Sequence, residues 1–217
     1  PLRVIAVEAN KVREKCTQIE VSLELLGTNL SSWNPSQGLS FFLGGSYTQT
    51  TNLFMLLHHY LNRVILKVDG LDEEFILPAS ALRAIGLELD SKLIDFPVQS
   101  FAAFRLLQEY FILPQKFTFM MLTGFDRWKN RGKGNKFSIC FELNDIPESL
   151  PHLNKDTFIF NATPVVNLFS HEMEPIQLTH KVEKILLRPS TQSANYYQTY
   201  DIDSVISANI KALTSMV

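Results

Sequence analysis

Apolar and polar positions alternate along the chain in several short runs. Residues 18–25 put Ile19, Val21, Leu23 and Leu25 on one side and Glu20, Ser22 and Glu24 on the other. Period two of this kind predicts a strand with one buried and one wet face. Residues 39–43 predict a second short strand after the turn-forming Asn34-Pro35-Ser36-Gln37-Gly38, and Gly44-Gly45 ends it. Ser46 and Gln49 have capping-box spacing, and Leu53, Leu56, Leu57, Tyr60 and Leu61 recur at period 3.6, so a helix is expected over about 46–62. Val64, Leu66 and Val68 then alternate, and Asp69-Gly70 predicts a hairpin turn into a partner strand at 74–77. A short helix is expected from Ala79 to Ile85, stopped by Gly86.

In the second half, residues 100–112 predict a helix with Phe101, Phe104, Leu107 and Phe111 on one face, read as facing the core. Pro114 ends it, because proline cannot continue the hydrogen-bond ladder. Residues 116–124 are apolar on both faces and are expected to form a central strand. Residues 136–143 alternate and are expected to pair with them across the loop 126–135. Further strands are expected at 158–160, 165–166, 176–178 and 184–187. This order predicts an α+β fold, with largely antiparallel sheets and two main helices at about 46–62 and 100–112. A soft sub-boundary is expected near 90–98, without a low-complexity linker or a repeat of fixed period.

Composition narrows the function classes. At 217 residues, net charge −2 and 19% charged, the chain is neither an acidic disordered tail nor a basic nucleic-acid wrapper. Of its 16 phenylalanines, those from Phe96 to Phe137 make a dense run, which centres the expected core on the second half. The two cysteines, Cys16 and Cys140, cannot form a disulfide scaffold, and Cys140 reads as a small buried thiol. No run approaches the roughly 18 apolar residues that would mark a membrane-spanning helix. The chain opens on Pro1 without a methionine and is expected to be a fragment, at home in a reducing cytoplasm.

The catalytic motifs are missing: there is no phosphate-binding glycine loop, no dinucleotide fingerprint, no zinc-protease helix and no nucleophile elbow. His171, Glu172, Glu174 and His180 are the densest group that could hold a metal, but they lack cysteine partners and helical spacing. No catalytic residue, cofactor or metal site is therefore assigned. The loop 127–136 holds five of the 20 basic residues beside Trp128. That composition suits a phosphate-contacting loop, and so a nucleic-acid-binding alternative. A solvated connection is the preferred reading, and a docking loop with Trp128 and Arg131 as anchors is a third. Asn161-Ala162-Thr163 formally matches a glycosylation acceptor, but Thr163 and Asn167 read better as polar groups bonding backbone where the chain turns after Pro164.

Two longer segments carry a family resemblance. Ser100-Phe-Ala-Ala-Phe-Arg-Leu-Leu-Gln-Glu-Tyr-Phe-Ile-Leu-Pro-Gln-Lys-Phe-Thr-Phe119 resembles the S-F-x-G-Y-R-L-L-Q-E-Y-F-x-F-P-E-K-F-x-F-F segment of the TssF (VasA, ImpG) proteins. Phe160-Asn-Ala-Thr-Pro-Val-Val-Asn-Leu-Phe169, with Glu174-Pro175-Ile176 after it, is similar to that family's L-N-C-T-P-V-V-N-L-F and later E-P-I. Pro1-Leu-Arg-Val4 and Tyr200-Asp-Ile-Asp-Ser-Val205 resemble the stretches that open and close its middle region. Ala103-Phe104 stand where Gly-Tyr is usual, Gln115 replaces Glu and Ala162 replaces Cys, changes that keep size or apolar character.

The resemblance implies the middle part of a baseplate subunit of a bacterial type VI secretion system, a contractile injection apparatus. It implies a structural protein, not an enzyme, located in the cytoplasm at the base of a membrane-docked machine. The partners implied are a TssG-like subunit and a second copy of the chain in a wedge, with TssK, TssE and a VgrG-like hub as neighbours. The segments 100–112 and 116–124 are expected to be core. Partner contacts are expected from loops and exposed aromatics, namely Trp128, Arg131, Phe169 and His171.

Overall fold

A computed structural model describes residues 1–13, 16–96, 99–146, 150–177, 184–190 and 196–206. The chain divides into two units, 1–165 and 166–217. The strands and helices belong to the first. In order they are β1 (Leu2–Arg13), β2 (Cys16–Leu25), β3 (Leu39–Leu43), α1 (Tyr47–His59), β4 (Leu61–Val68), β5 (Glu74–Pro78), β6 (Leu82–Ala84), α2 (Ala102–Ile112), β7 (Phe119–Leu122), β8 (Lys136–Asn144) and β9 (Phe158–Phe160). A five-stranded sheet runs β1-β2-β8-β4-β5 and a four-stranded sheet runs β6-β7-β3-β9, with every pairing antiparallel. The fold is α+β, as the residue pattern predicts.

Register explains the core. Ile19 pairs with Phe141, which pairs with Val64, which pairs with Leu77. Val21, Ile139 and Leu66 form the next row, and Leu23, Phe137 and Val68 the one after. All nine residues of the three central strands are buried. Side chains of equal parity across an antiparallel ladder lie on one face, so the rows make a continuous apolar surface. Phe41 of β3 and Phe158 of β9 meet it, with the Phe141 and Phe158 rings stacked at 5.7 Å between centroids. Both sheets thus share one core.

β1 escapes the period-two reading for a physical reason. Its register shifts between Val4 and Ala6, so Val4 faces Leu23 and Val7 faces Val21. Ile5 is an extra residue in the ladder, a bulge that changes the parity of the inward positions. The α1 prediction holds within a residue or three of each end. Ser46 caps the helix by accepting from the Gln49 N–H, and Thr50, Leu53, Leu56 and Leu57 are its buried face. The β4–β5 hairpin forms as expected, with Gly70 at φ +80° in its turn.

Several expectations are corrected. The helix predicted over 79–85 is a single 3-10 turn, Ala79–Ala81, followed by β6. Leu82 pairs with Leu122, so an open edge of β7 claims a segment that local propensity leaves ambiguous. The strand predicted over 116–124 is a 3-10 segment, Pro114–Thr118, followed by the four residues of β7, which is central but lies between β6 and β3. It does not pair with β8, because the connecting segment crosses from one sheet to the other. At 165–166 and 184–187 the chain is irregular, tied by a Met173–Pro189 bridge in the second unit. The strand expected at 176–178 lies partly outside the described residues, and residues 176–177 are irregular.

Candidate interaction site

The sharpest departure from the residue pattern is the orientation of α2. Its apolar stripe faces solvent: Phe101 is 69% exposed, Phe104 65%, Leu107 55% and Phe111 81%. The face turned inward carries Arg105 and Glu109, both buried. The reason lies in the bonds they make. Glu109 Oε2 accepts from Arg105 Nη1 at 3.1 Å and from the buried Lys116 Nζ, while its Oε1 accepts from the Leu93 N–H at 2.7 Å. Arg105 Nη2 donates to the Leu87 and Glu88 carbonyls at 3.3 and 3.4 Å, and its guanidinium lies 5.7 Å from the Phe96 ring centre. A buried charge is tolerated when it is paired and its remaining sites are bonded, and this network meets that condition. Burial pushes the Glu109 carboxyl toward the neutral form, but the Lys116 hydrogen bond, the Leu93 N–H and the nearby cations outweigh it and hold the pKa below the ordinary value.

This overturns the expectation that the apolar face of 100–112 is core, and it divides the phenylalanines. Phe41, Phe125, Phe137, Phe141 and Phe158 are interior, whereas Phe101, Phe104 and Phe111 are surface. The signal for the reversal was in the sequence. Arg105 and Glu109 stand four apart opposite the Phe stripe, with Lys116 seven residues after Glu109. An amphipathic period reports two faces, not which of them is inside.

The loop between β7 and β8 also differs from its reading. Trp128 and Arg131 are 3% and 9% exposed, so neither is a surface anchor. Gly124, at φ +93°, turns the chain where a Cβ would lie 2.8 Å from Leu77 Cδ2. Phe125 and Trp128 then enter the core, where Trp33 meets Phe125 at 5.5 Å and Trp128 meets Phe137 at 6.0 Å. Arg131 ties the loop down by donating to the carbonyls of Trp33, Phe125 and Trp128. The remaining bases of the loop, Arg127, Lys129, Lys133 and Lys136, are exposed, without an aromatic platform among them.

Phe169 and His171 lie in the second unit and are exposed. Tyr197 joins them, with ring centres 5.7 Å from Phe169 and 6.1 Å from His171, the latter pair stacked. The Arg63–Glu142 pair, bidentate at 3.0 Å, sits with Asn62 in a polar cavity of about 380 Å³ at one end of β4 and β8. Its charges are matched internally. Among the described residues no group of three or more His, Cys, Asp or Glu side chains is placed to hold a metal ion.

Comparison with known proteins decides the family. Residues 3–216 match the type VI secretion system TssF family. The chain belongs to the TssF family. Type VI secretion system component TssF1 of Pseudomonas aeruginosa is 30% identical over 109 residues, which is 50% of this chain and 18% of that protein. A chain of the TssK-TssF-TssG baseplate subcomplex solved by cryo-electron microscopy superposes with a TM-score of 0.72 at 23% identity, and the match covers 88% of this chain and 36% of that one. The second likeness shows the fold. In both comparisons the TssF-family chain described here spans well under half the length of the protein it matches. The motif of residues 100–119 acquires a structural meaning: its charged members Arg105, Glu109 and Lys116 point inward, while its aromatics Phe101, Phe104 and Phe111 point out.

Proposed function

We propose that this TssF-family chain is a structural component of a type VI secretion baseplate, working through protein–protein contacts and not through catalysis. The observation that carries this is the family match over residues 3–216. The polar chemistry of the first unit accords with it. Buried charges are spent holding α2 and the β7–β8 loop in place, leaving no activated nucleophile or acid–base pair among the groups described above. The partners in this reading are a TssG-like subunit and a second copy of the chain, with TssK-, TssE- and VgrG-like components nearby, on the cytoplasmic side of the docked machine. Phe169 and His171, exposed beside Tyr197, serve as contact residues in it.

The nucleic-acid alternative loses its basis. Base stacking needs an exposed aromatic, and Trp128 is in the core. Deleting the gene should abolish sheath assembly and effector delivery, with restoration by the wild-type copy. The tagged protein should co-purify with its TssG-like partner. A strain that assembles sheaths normally without the gene, or a protein that stays alone when co-expressed with TssG- and TssK-like subunits, would refute the proposal.

A further inference from the structure

Residues 86–118 leave the four-stranded sheet and return to it at one point. β6 and β7 pair as far as Ala84 and Met120, and beyond them the Ile85 N–H donates to the Phe119 carbonyl at 3.0 Å. The chain turns away at Gly86, at φ +110°, where a Cβ would lie 3.0 Å from the Lys116 carbonyl oxygen. Between these ends lie the 3-10 turn Leu89–Ser91, α2 and the 3-10 segment Pro114–Thr118. None of the described residues of this excursion belongs to the apolar core of the first unit. Among them the one buried apolar side chain is Ile94, which stands outside that core. What the excursion buries instead is polar: Arg105, Glu109, Lys116 and Thr118. The bonds of Glu109 to Arg105, Lys116 and the Leu93 N–H close within 86–118, as do those of Arg105 to the Leu87 and Glu88 carbonyls. Outward it meets α1, through Pro114–Thr118 and through the exposed hydroxyls of Tyr110 and Tyr47, 2.9 Å apart.

Order in such a segment has two interdependent sources. A helix of 11 residues is shorter than the roughly 12–15 that persist alone in water, so α2 needs the charged cluster. The cluster in turn needs the helix, because Arg105 and Glu109 meet through its i, i+4 spacing. Losing either loses the other, which makes opening all-or-none. Opening uncovers none of the apolar core, so it costs far less than separating the sheets.

We propose that residues 86–118 form a latched arm, which opens and recloses as one unit while both sheets stay folded, with Glu109 as the latch. The fold thereby holds one segment able to change shape without loss of either sheet. The opening is a fluctuation of the native chain and leaves the overall melt cooperative. It is independent of the baseplate reading, which co-purification tests and amide exchange does not.

The test is amide hydrogen exchange, read by mass spectrometry, on the full-length protein expressed from its gene. Relative to intrinsic rates, amides of α2 should exchange at least about a hundredfold faster than those of β2, β4 and β8. Phe141→Leu, in the core, should speed exchange in β8 and leave α2 within about twofold of wild type, because the arm opens without disturbing Phe141. Glu109→Ala should speed α2 by on the order of a hundredfold, or to the rate of an open chain, with β8 still protected. Equal protection of α2 and β8 in the wild type overturns the proposal, whichever surface clamps the arm. So does an α2 that accelerates in step with β8 in Phe141→Leu, or one that Glu109→Ala leaves unmoved. Should Phe141→Leu not fold, wild-type exchange in sub-denaturing urea decides. There α2 should depend on urea weakly and β8 with the full slope of unfolding, and a common slope overturns the arm.

Discussion

Glu109 accepts from two buried cations and one backbone N–H, and removing it strands both cations away from water. Breaking a buried pair by deleting one partner costs about 3–5 kcal/mol, far more than a surface ion pair is worth. Glu109→Ala should therefore lower the urea-unfolding free energy by about that amount. The same carboxylate sets an acid limb. Its folded pKa lies below the unfolded value of about 4.3, so its contribution is complete above that value and is lost as pH falls through the lower folded pKa. Glu109→Gln, less stable at pH 7, should lose less stability than the wild type between pH 5 and pH 2 in parallel urea titrations. Equal losses would remove Glu109 from the acid response. Cys140 makes the opposite case: burial pushes its thiol up to about 12, so the reactive thiolate is scarce and inaccessible. A thiol reagent at pH 8 should label Cys140 only when denaturant is added, as read by mass spectrometry of the peptide.

At the scale of elements, burial separates two sets of aromatic residues that composition treats alike. Phe141 packs between Phe41 and Phe158, and Phe141→Ala should cost about 3–5 kcal/mol. Trp128→Ala should fall in the same range despite its place in a basic loop, because its ring packs on Phe137 and Phe125. Phe111→Ser, on the outer ridge of α2, should stay within about 0.5 kcal/mol of wild type. Thermal melts of the three variants check the ordering, and a large loss for Phe111→Ser would contradict the outward placement of the ridge. The helix thus inverts the usual division of labour. Its charged side holds it to the first unit, and its apolar side is offered outward.

At the scale of the molecule, both sheets and both helices fall within residues 1–165, and the sheets and α1 share one apolar core. A chain ending at residue 165 should unfold in one cooperative transition near that of the full 217 residues, as measured by calorimetry. A non-cooperative melt would show that residues 1–165 are not a folding unit by themselves. The net charge of −2 over these 217 residues gives no field to steer a polyanion.

Much of this was legible in the chain itself. The α+β class, the strands at β2, β3, β4, β5, β8 and β9, the cap at Ser46 and the turn at Gly70 all follow from local rules, because period and turn chemistry act over a few residues. So does the family, whose motifs are strings of residue identity. Other features depended on neighbours distant in sequence. β1 was hidden by a bulge at Ile5, β6 formed because β7 had an open edge, and β7 and β8 went to different sheets. The largest such decision is which side of α2 faces in. Sequence determined that the helix has an apolar face and a charged face. Only the tertiary structure, by setting Lys116 and the Leu93 N–H beside Glu109, made the charged face the cheaper one to bury and left the phenylalanines on the outside.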